Sequence, residues 1–237
     1  MRLQFDELKY YEIRTLSVLA KQNPFSTCFT RPGEIPYLLP DSREPADARV
    51  EPQRLIERFL SNRCVGQIVG PHGCGKTTLC HLIADELSDR FATVDYVAIR
   101  SASDVQTMRY GSSLGANSSL AADAKLTIID GAERVSLLQQ RMIVSNLTGR
   151  RGFDPNRTDP DPDGLLFTSH RRLKFIPVLF SIVPSVSTFA RVANYLDPTL
   201  EMTEDQLANL FEQSNGNIRE AIMLLYDRHE SLRVGGC

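Results

Sequence analysis

One stretch of the chain constrains its folding more than any other. Gly70-Pro71-His72-Gly73-Cys74-Gly75-Lys76-Thr77 fits G-x-x-x-x-G-K-[ST] in full. An apolar run, Cys64-Val65-Gly66-Gln67-Ile68-Val69, enters it. An apolar-periodic run with Leu79, Leu82, Ile83, Ala84 and Leu87 leaves it. A strand, a glycine loop and a helix in that order make a cradle for phosphate. Glycines let the backbone curl, so that successive N–H groups point at phosphate oxygens. The helix N-terminus adds partial positive charge. In such a loop Lys76 reaches the β- and γ-phosphates, Thr77 ligates Mg²⁺ through its hydroxyl, and Thr78 follows in the first helical turn. His72 and Cys74 fill variable positions. Cys74 is either a passive loop residue or, at a helix N-terminus, a thiol of lowered pKa.

The rest of the pattern agrees with an α/β domain. Residues 1–22 hold a partly helical apolar spacing. Residues 23–52 carry six prolines, which forbid a long helix or a central strand. That segment reads as an extended arm and linker. Residues 51–62 read as a helix with Leu55, Ile56, Phe59 and Leu60 on one side. Residues 77–88 form the helix after the loop. Strands are expected at 64–69, 91–99, 126–129, 165–168 and 178–183, and a helix at 135–147. Residues 101–124 are poorly patterned, and 149–164 form a polar loop. Residues 203–233 are helical, with the apolar faces of two helices. The order β-α-β-(α)-β-α-β-β implies a mainly parallel five-stranded sheet flanked by helices. The expected division is an arm over 1–50, an α/β domain over 51–198 and a small C-terminal helical lid over 199–237.

Two further strands end in chemistry. Leu126-Thr127-Ile128-Ile129-Asp130-Gly131-Ala132-Glu133 is a buried strand ending in an acid. A phosphate loop needs such an acid to hold Mg²⁺, and Asp130 is the candidate. Its bland alternative is a turn residue. Glu133 either polarises the attacking water or is a helix N-terminal acid favoured by the dipole. Leu165-Leu166-Phe167-Thr168-Ser169-His170-Arg171-Arg172 is a second apolar run with a polar end. Strand C-termini face the ligand crevice in a parallel sheet. Thr168, Ser169 and His170 are therefore placed to touch the γ-phosphate or the lytic water. Arg171 and Arg172 act in cis, act on a neighbour's nucleotide as an arginine finger, or lie in a solvated loop.

These runs resemble the additional-strand class of P-loop NTPases, which includes the AAA+ and STAND ATPases. The hhhhDGxE run ending at Glu133 and the strand ending Thr168-Ser169-His170 carry the resemblance. Arg134 stands where the STAND pattern has a second acid, and His170 stands where its sensor arginine stands. Asn215-Gly216-Asn217-Ile218-Arg219 resembles the G-[ND]-x-R element of the AAA+ lid, which implies that Arg219 senses the γ-phosphate. The bland alternative for Arg219 is a surface residue. Asn217 is suited to cap the helix that starts there. The order of motifs over 23–230 is similar to small planctomycete-type ATP-binding proteins. In AAA+ proteins the stretch before the loop strand packs on adenine. The resemblance gives Ile35, Pro36 and Tyr37 that role, against the alternative of covering a sheet edge.

Composition narrows the classes. The 237 residues carry 27 Lys plus Arg against 29 Asp plus Glu, a net charge of −2. That balance argues against a surface-wide nucleic-acid glove. Nucleic-acid binding stays open but is not indicated, because Arg150, Arg151 and Arg157 alternate with Asp154, Asp159 and Asp161. The longest apolar stretch, 175–184, is about half of the ~20 residues a membrane span needs. The first residues lack an apolar signal core. Five cysteines without C-x-x-C spacing read as reduced thiols in a cytoplasm. No guanine-reading motif is present, so ATP is favoured over GTP. The expected function is an ATP·Mg²⁺-binding ATPase that acts as a nucleotide-dependent switch for an unidentified protein partner. The alternatives are a small-molecule or nucleotide kinase, with Gly149-Arg150-Arg151-Gly152 in a mobile lid, and a nucleotide-binding module with little turnover. The oligomeric state is left open.

Overall fold

Five apolar runs become five parallel strands in the computed structural model of the chain, which describes residues 22–31, 34–38, 52–99, 124–134, 136–141 and 163–235. The elements are α1 (Pro52–Ser61), β1 (Val65–Val69), α2 (Lys76–Glu86), β2 (Thr93–Ala98), β3 (Lys125–Asp130), a 3₁₀ turn (Ala132–Arg134), β4 (Gly164–Ser169), β5 (Val178–Ser181), α3 (Val186–Leu196), α4 (Glu204–Gln213) and α5 (Ile218–Gly235). The sheet order is β2-β3-β4-β1-β5, with every pair parallel. The expected five-stranded parallel sheet is therefore what forms. β4 stands between the loop strand β1 and the acid strand β3.

Burial explains why these runs are strands. β4 is buried along its whole length, and β1 and β3 nearly so. Central parallel strands are covered on both faces and so lack polar alternation. Leu126, Ile128, Leu166 and Ile68 face one core with Phe59 of α1 and Leu79 and Ile83 of α2. Ile129, Leu165 and Phe167 face the other, with Leu173 and Ile176. The edge strand β2 is exposed or half-buried along its whole length, and Asp95 pairs with Lys125 of β3 across it. Such charges blunt an edge against further pairing. Pro52 opens α1 at the position where a missing N–H costs nothing.

One buried amide fixes the β4–β5 connection. Gln67 of β1 is fully buried. Its Nε2 donates to Leu173 O at 3.0 Å and Ile176 O at 2.5 Å, and its Oε1 accepts from Leu173 N at 2.8 Å. This is why a polar residue sits in the central strand. The loop leaving His170 is held to the strand that feeds the phosphate loop.

The C-terminal part forms a second, helical core. Phe189, Ala193 and Leu196 of α3 pack with Leu207 of α4 and Ile218, Ala221, Ile222 and Leu225 of α5. α3 is an element the sequence reading misses. Its Ser185 cap, whose Oγ accepts from Thr188 N, and its apolar spacing at 189, 193 and 196 are the signals that reveal it. α4 carries a capping box between Thr203 and Gln206. Asn215 and Gly216, at φ 51° and 75°, end α4 and turn the chain into α5. Asn217 Oδ1 then accepts from Arg219 N and Glu220 N at 3.1 and 3.3 Å, which is the expected cap. The arm joins this core through Phe25, which is 1% exposed. Asn23 Nδ2 donates to Tyr226 O and Glu230 Oε1, each at 2.9 Å.

The expected helix at 135–147 is seen over 137–141, and its remainder lies outside the described residues. The expected readings of 1–21, 39–50, 101–123 and 149–162, including the arginine-bearing lid at Gly149-Arg150-Arg151-Gly152, also lie outside them. No helix among the described residues is long and apolar enough to cross a membrane.

Replacing Gln67 with Met keeps the volume and strands three buried backbone groups without a partner. Each costs about 1–3 kcal/mol. The expected loss is about 3 kcal/mol, read as a lower urea midpoint with unchanged slope. A loss under about 1 kcal/mol shows that the amide does not hold the loop.

Candidate functional site

A parallel sheet sends all its strand C-termini to one edge. Here that edge carries the glycine loop after β1, Asp130 at the end of β3, and His170 after β4. β1 and β4 pair in register, Val69 with Ser169, and Gly70 N donates to Ser169 O at 3.1 Å. The start of the loop therefore lies beside His170. Gly73 and Gly75 take left-handed backbone, φ 68° and 92°, which an L side chain rarely adopts. No side chain caps α2. Its first N–H groups are left to the loop and to any anion it holds.

The site is a cavity of about 730 Å³. Its floor is residues 72–78 with Asp130, Gly131, Glu133, Arg134 and His170. The helical core roofs it with Thr188, Arg191, Val192, Ile218, Arg219, Glu220, Ile222 and Met223. The arm walls it with Thr27, Thr30, Arg31 and residues 35–38. Loop and roof touch directly. A Cβ built on Gly73 would lie 1.8 Å from Asn217 Oδ1, so only glycine fits beneath the cap of α5. A Cβ on Gly75 would lie 3.7 Å from the Tyr37 ring.

Lys76 is buried to 8% exposure, and its ammonium is fully engaged. Nζ donates to Gly70 O at 2.9 Å and Pro71 O at 2.7 Å, and it lies 3.4 Å from His170 Nδ1. The far side of that imidazole holds Glu133. His170 Nε2 lies 3.3 Å from Glu133 Oε1, and His170 N donates to Glu133 Oε2 at 3.3 Å. A neutral ring protonated on Nε2 satisfies both sides, accepting from Lys76 and donating to Glu133. The His72 ring lies against it, 3.5 Å between centroids and tilted 38°. Burial and then Lys76 hold His170 below the ordinary histidine range, with Glu133 pulling the other way.

The structure brings most of the sequence-derived candidates together. His72, Gly73, Cys74, Gly75, Lys76, Thr77, Thr78, Asp130, Glu133, His170 and Arg219 all line the one cavity, as do Ile35, Pro36 and Tyr37. Gly70 and Pro71 turn their carbonyls to Lys76. Two expectations need correction. Thr168 donates its hydroxyl to Asp130 Oδ1, so it orients the acid and does not face a phosphate. Ser169 is 1% exposed, and its hydroxyl donates to Arg171 O at 2.7 Å, so it stays outside the cavity. Of the two readings of Cys74, the passive loop residue is the one that agrees with the structure: it is 4% exposed, and burial pushes its thiol up. Arg171 and Arg172 are exposed and lie outside the cavity lining.

Sequence reasoning misses Arg191, Thr188, Arg134 and Arg31 as cavity residues. Thr188 and Arg191 lie three apart on α3, and Arg191 Nη2 donates to Thr188 Oγ1 at 3.2 Å. Reading α3 as a capped helix would have put both on one face.

The donor set fits a nucleotide with Mg²⁺. Thr77 and Asp130 offer one hydroxyl and one carboxylate at the phosphate end. Mg²⁺ is held in that way, by one or two protein oxygens together with phosphate and water. No group of three or more His, Cys, Asp or Glu side chains suited to a metal occurs among the described residues. Such a cage is not what a phosphate-bound Mg²⁺ requires.

Gly73→Ala places a methyl against Asn217 and strains a left-handed residue. A stability loss of about 1–2 kcal/mol is expected. Faster amide exchange over residues 217–222 should accompany it. Unchanged exchange there shows that loop and roof are not in contact.

Among curated proteins, no sequence matches this chain. Residues 67–142 match the family model of the ATPase family associated with various cellular activities (AAA). The match covers about a third of the chain, from β1 through the loop, Asp130 and Glu133. It supports, for this part of the chain, a nucleotide-binding P-loop ATPase of the AAA type.

Proposed function

We propose that the chain binds ATP·Mg²⁺ in this cavity, hydrolyses it, and uses the helical lid as a nucleotide-dependent switch for a protein partner. The carrying observation is convergence: loop residues 72–77, Asp130, Glu133 and Arg219 come from separate elements and line one cavity. Its volume lies within the range of small-ligand sites. In this reading the loop N–H groups and Lys76 bind the phosphates. Thr77 and Asp130 hold Mg²⁺, which supplies charge neutralisation on the phosphates, and Thr168 keeps Asp130 turned to it. Glu133 orients water and accepts its proton. Ile35, Pro36 and Tyr37 cover the base. The lid is residues 186–235, one helix longer than the motif pattern suggests, and it contributes Arg219 and Arg191. Contacts to the γ-phosphate exist before hydrolysis and not after it, which is what shifts the lid. The cytoplasm is the compartment that agrees with reduced cysteines.

A second reading is favoured by one observation. Both carboxylate oxygens of Glu133 are engaged by His170. A nucleotide-holding module with little turnover would look the same.

Phosphate release from ATP·Mg²⁺ separates the two. With Lys76→Ala as blank, an ATPase releases phosphate above the blank. Glu133→Gln should slow it by about 10²-fold or more, the usual contribution of a general base. Tight ATP binding with no release selects the holding module, or a kinase awaiting its acceptor. Arg219→Ala should weaken ATP about 10–100-fold and ADP less than about twofold, as one charge-assisted hydrogen bond requires. Equal losses for ATP and ADP by calorimetry remove the sensor role.

A further inference from the structure

His170 has one acceptor that nucleotide binding leaves without a proton. The Lys76 ammonium carries three protons. Three acceptors surround it: Pro71 O at 2.7 Å, Gly70 O at 2.9 Å and His170 Nδ1 at 3.4 Å. His170 Nδ1 is itself 3.3 Å from Gly70 O. With the ring proton on Nε2 and directed at Glu133, Nδ1 and Gly70 O are two acceptors facing each other. Lys76 supplies the protons that let them sit so close. A phosphate oxygen that draws on Lys76 must take one of those three bonds. The bond to His170 is the longest, and it is the one to go. Nδ1 then faces Gly70 O and an anionic oxygen, acceptors on every side. A proton on Nδ1 restores complementarity without moving the ring or releasing Glu133.

We propose that His170 takes up a proton from solvent at Nδ1 when a polyphosphate draws on Lys76, becoming a second cation on the terminal phosphate while Nε2–H keeps its hold on Glu133. This rests on the reading of the cavity as an ATP site. No bond between heavy atoms forms or breaks. The proton comes from water or buffer and returns there when the phosphate leaves.

The surroundings give the sign. The charged and titratable groups facing the ring are Lys76 of α2, Glu133 of the 3₁₀ turn and His72 of the loop. Asp130, held by Thr168, and Arg134 line the same cavity. Burial, Lys76 and His72 keep the free ring low, so it is neutral at pH 7, and Glu133 opposes them. A polyanion beside it works in the direction of Glu133 and raises it. A group raised on binding makes binding tighter as pH falls. That gain is complete below the free protein's pKa and is lost as pH rises through the pKa of the complex.

Calorimetry of the whole chain with the magnesium complex of AMP-PNP, in buffers of different ionisation enthalpy, counts the protons. Uptake approaching one proton is expected between about pH 6 and 7.5. Affinity should rise up to about tenfold per pH unit on acidification. His170→Gln supplies the same donor and acceptor but cannot be protonated. It should bind without that uptake and with a flat pH profile. The same uptake in His170→Gln overturns the assignment, and its loss in His72→Gln instead would place the proton on His72. Binding heat without proton uptake sinks the proposal alone, whereas no heat with any nucleotide sinks the ATP-site reading and the proposal with it. If His170→Gln does not fold, NMR titration of the His170 ring in Lys76→Met serves in its place. Loss of the neighbouring cation should move its midpoint to higher pH, and an unmoved midpoint overturns the coupling.

Discussion

The burial of one ammonium group organises the phosphate end of this molecule. Lys76 sits at 8% exposure, where an unpaired charge is strongly unfavourable. Its partners are two carbonyls of the loop and one imidazole just past the end of β4. That imidazole is within reach because β4 pairs with β1 in register, setting Ser169 beside Val69. β4 also pairs with β3, so Thr168 reaches Asp130 from the same strand end. Placing β4 between the loop strand and the acid strand therefore does chemical as well as topological work. Without it, Lys76, Glu133 and Asp130 would share no common neighbour.

The roof meets the floor where side chains lie over the glycines of the loop. Asn217 caps α5 and lies close over Gly73, so the start of that helix and the loop are in contact. The arm makes a second tie. Phe25 is packed in the helical core and Asn23 is bonded to α5, while Tyr37 lies at Gly75. One short segment thus spans from the helical core to the phosphate loop. Ile35, Pro36 and Tyr37 line the cavity, and Phe25 finds its apolar partners on α3 and α5.

The sheet and the loop were legible in the sequence, and the reasons are particular. β1, β3 and β4 are largely buried on both faces, so they read as mainly apolar runs, interrupted in β1 by Gln67 and in β3 by Thr127. Gly73 and Gly75 announce left-handed backbone, and Lys76-Thr77 follow at fixed spacing. Asp130 and Glu133 are visible as the first acids after such a run. What the sequence hides is direction. Nothing local says that Thr168 points along the sheet to Asp130 and Ser169 turns back to Arg171, because neighbouring residues on a strand face opposite ways and the register decides which is which. For Cys74 the sequence leaves a passive loop residue and a reactive thiol both open, and its burial in the core beside the sheet decides for the first. α3 was missed for a different reason. It follows a strand by four residues, and its single cap and three apolar positions compete with a β-branched, Ser-rich composition that favours neither state.

Arg219 cannot be the whole of a switch built on this lid. Asn217 fixes its backbone, and its side chain is exposed. One charge-assisted hydrogen bond to a γ-phosphate contributes about 1.5–3 kcal/mol. Moving a lid from mostly open to mostly closed takes about 5.5 kcal/mol of differential binding. The remainder has to come from groups that meet the phosphate only when roof and floor are together. Arg191 on α3 and Arg134 on the floor line the cavity and carry the right charge. A proton gained by His170 adds another cation on the same side. In the proposed switch, a triphosphate that recruits several such groups at once, each contributing modestly, would reach the required difference, and a diphosphate, lacking the terminal oxygens, would fall short of it.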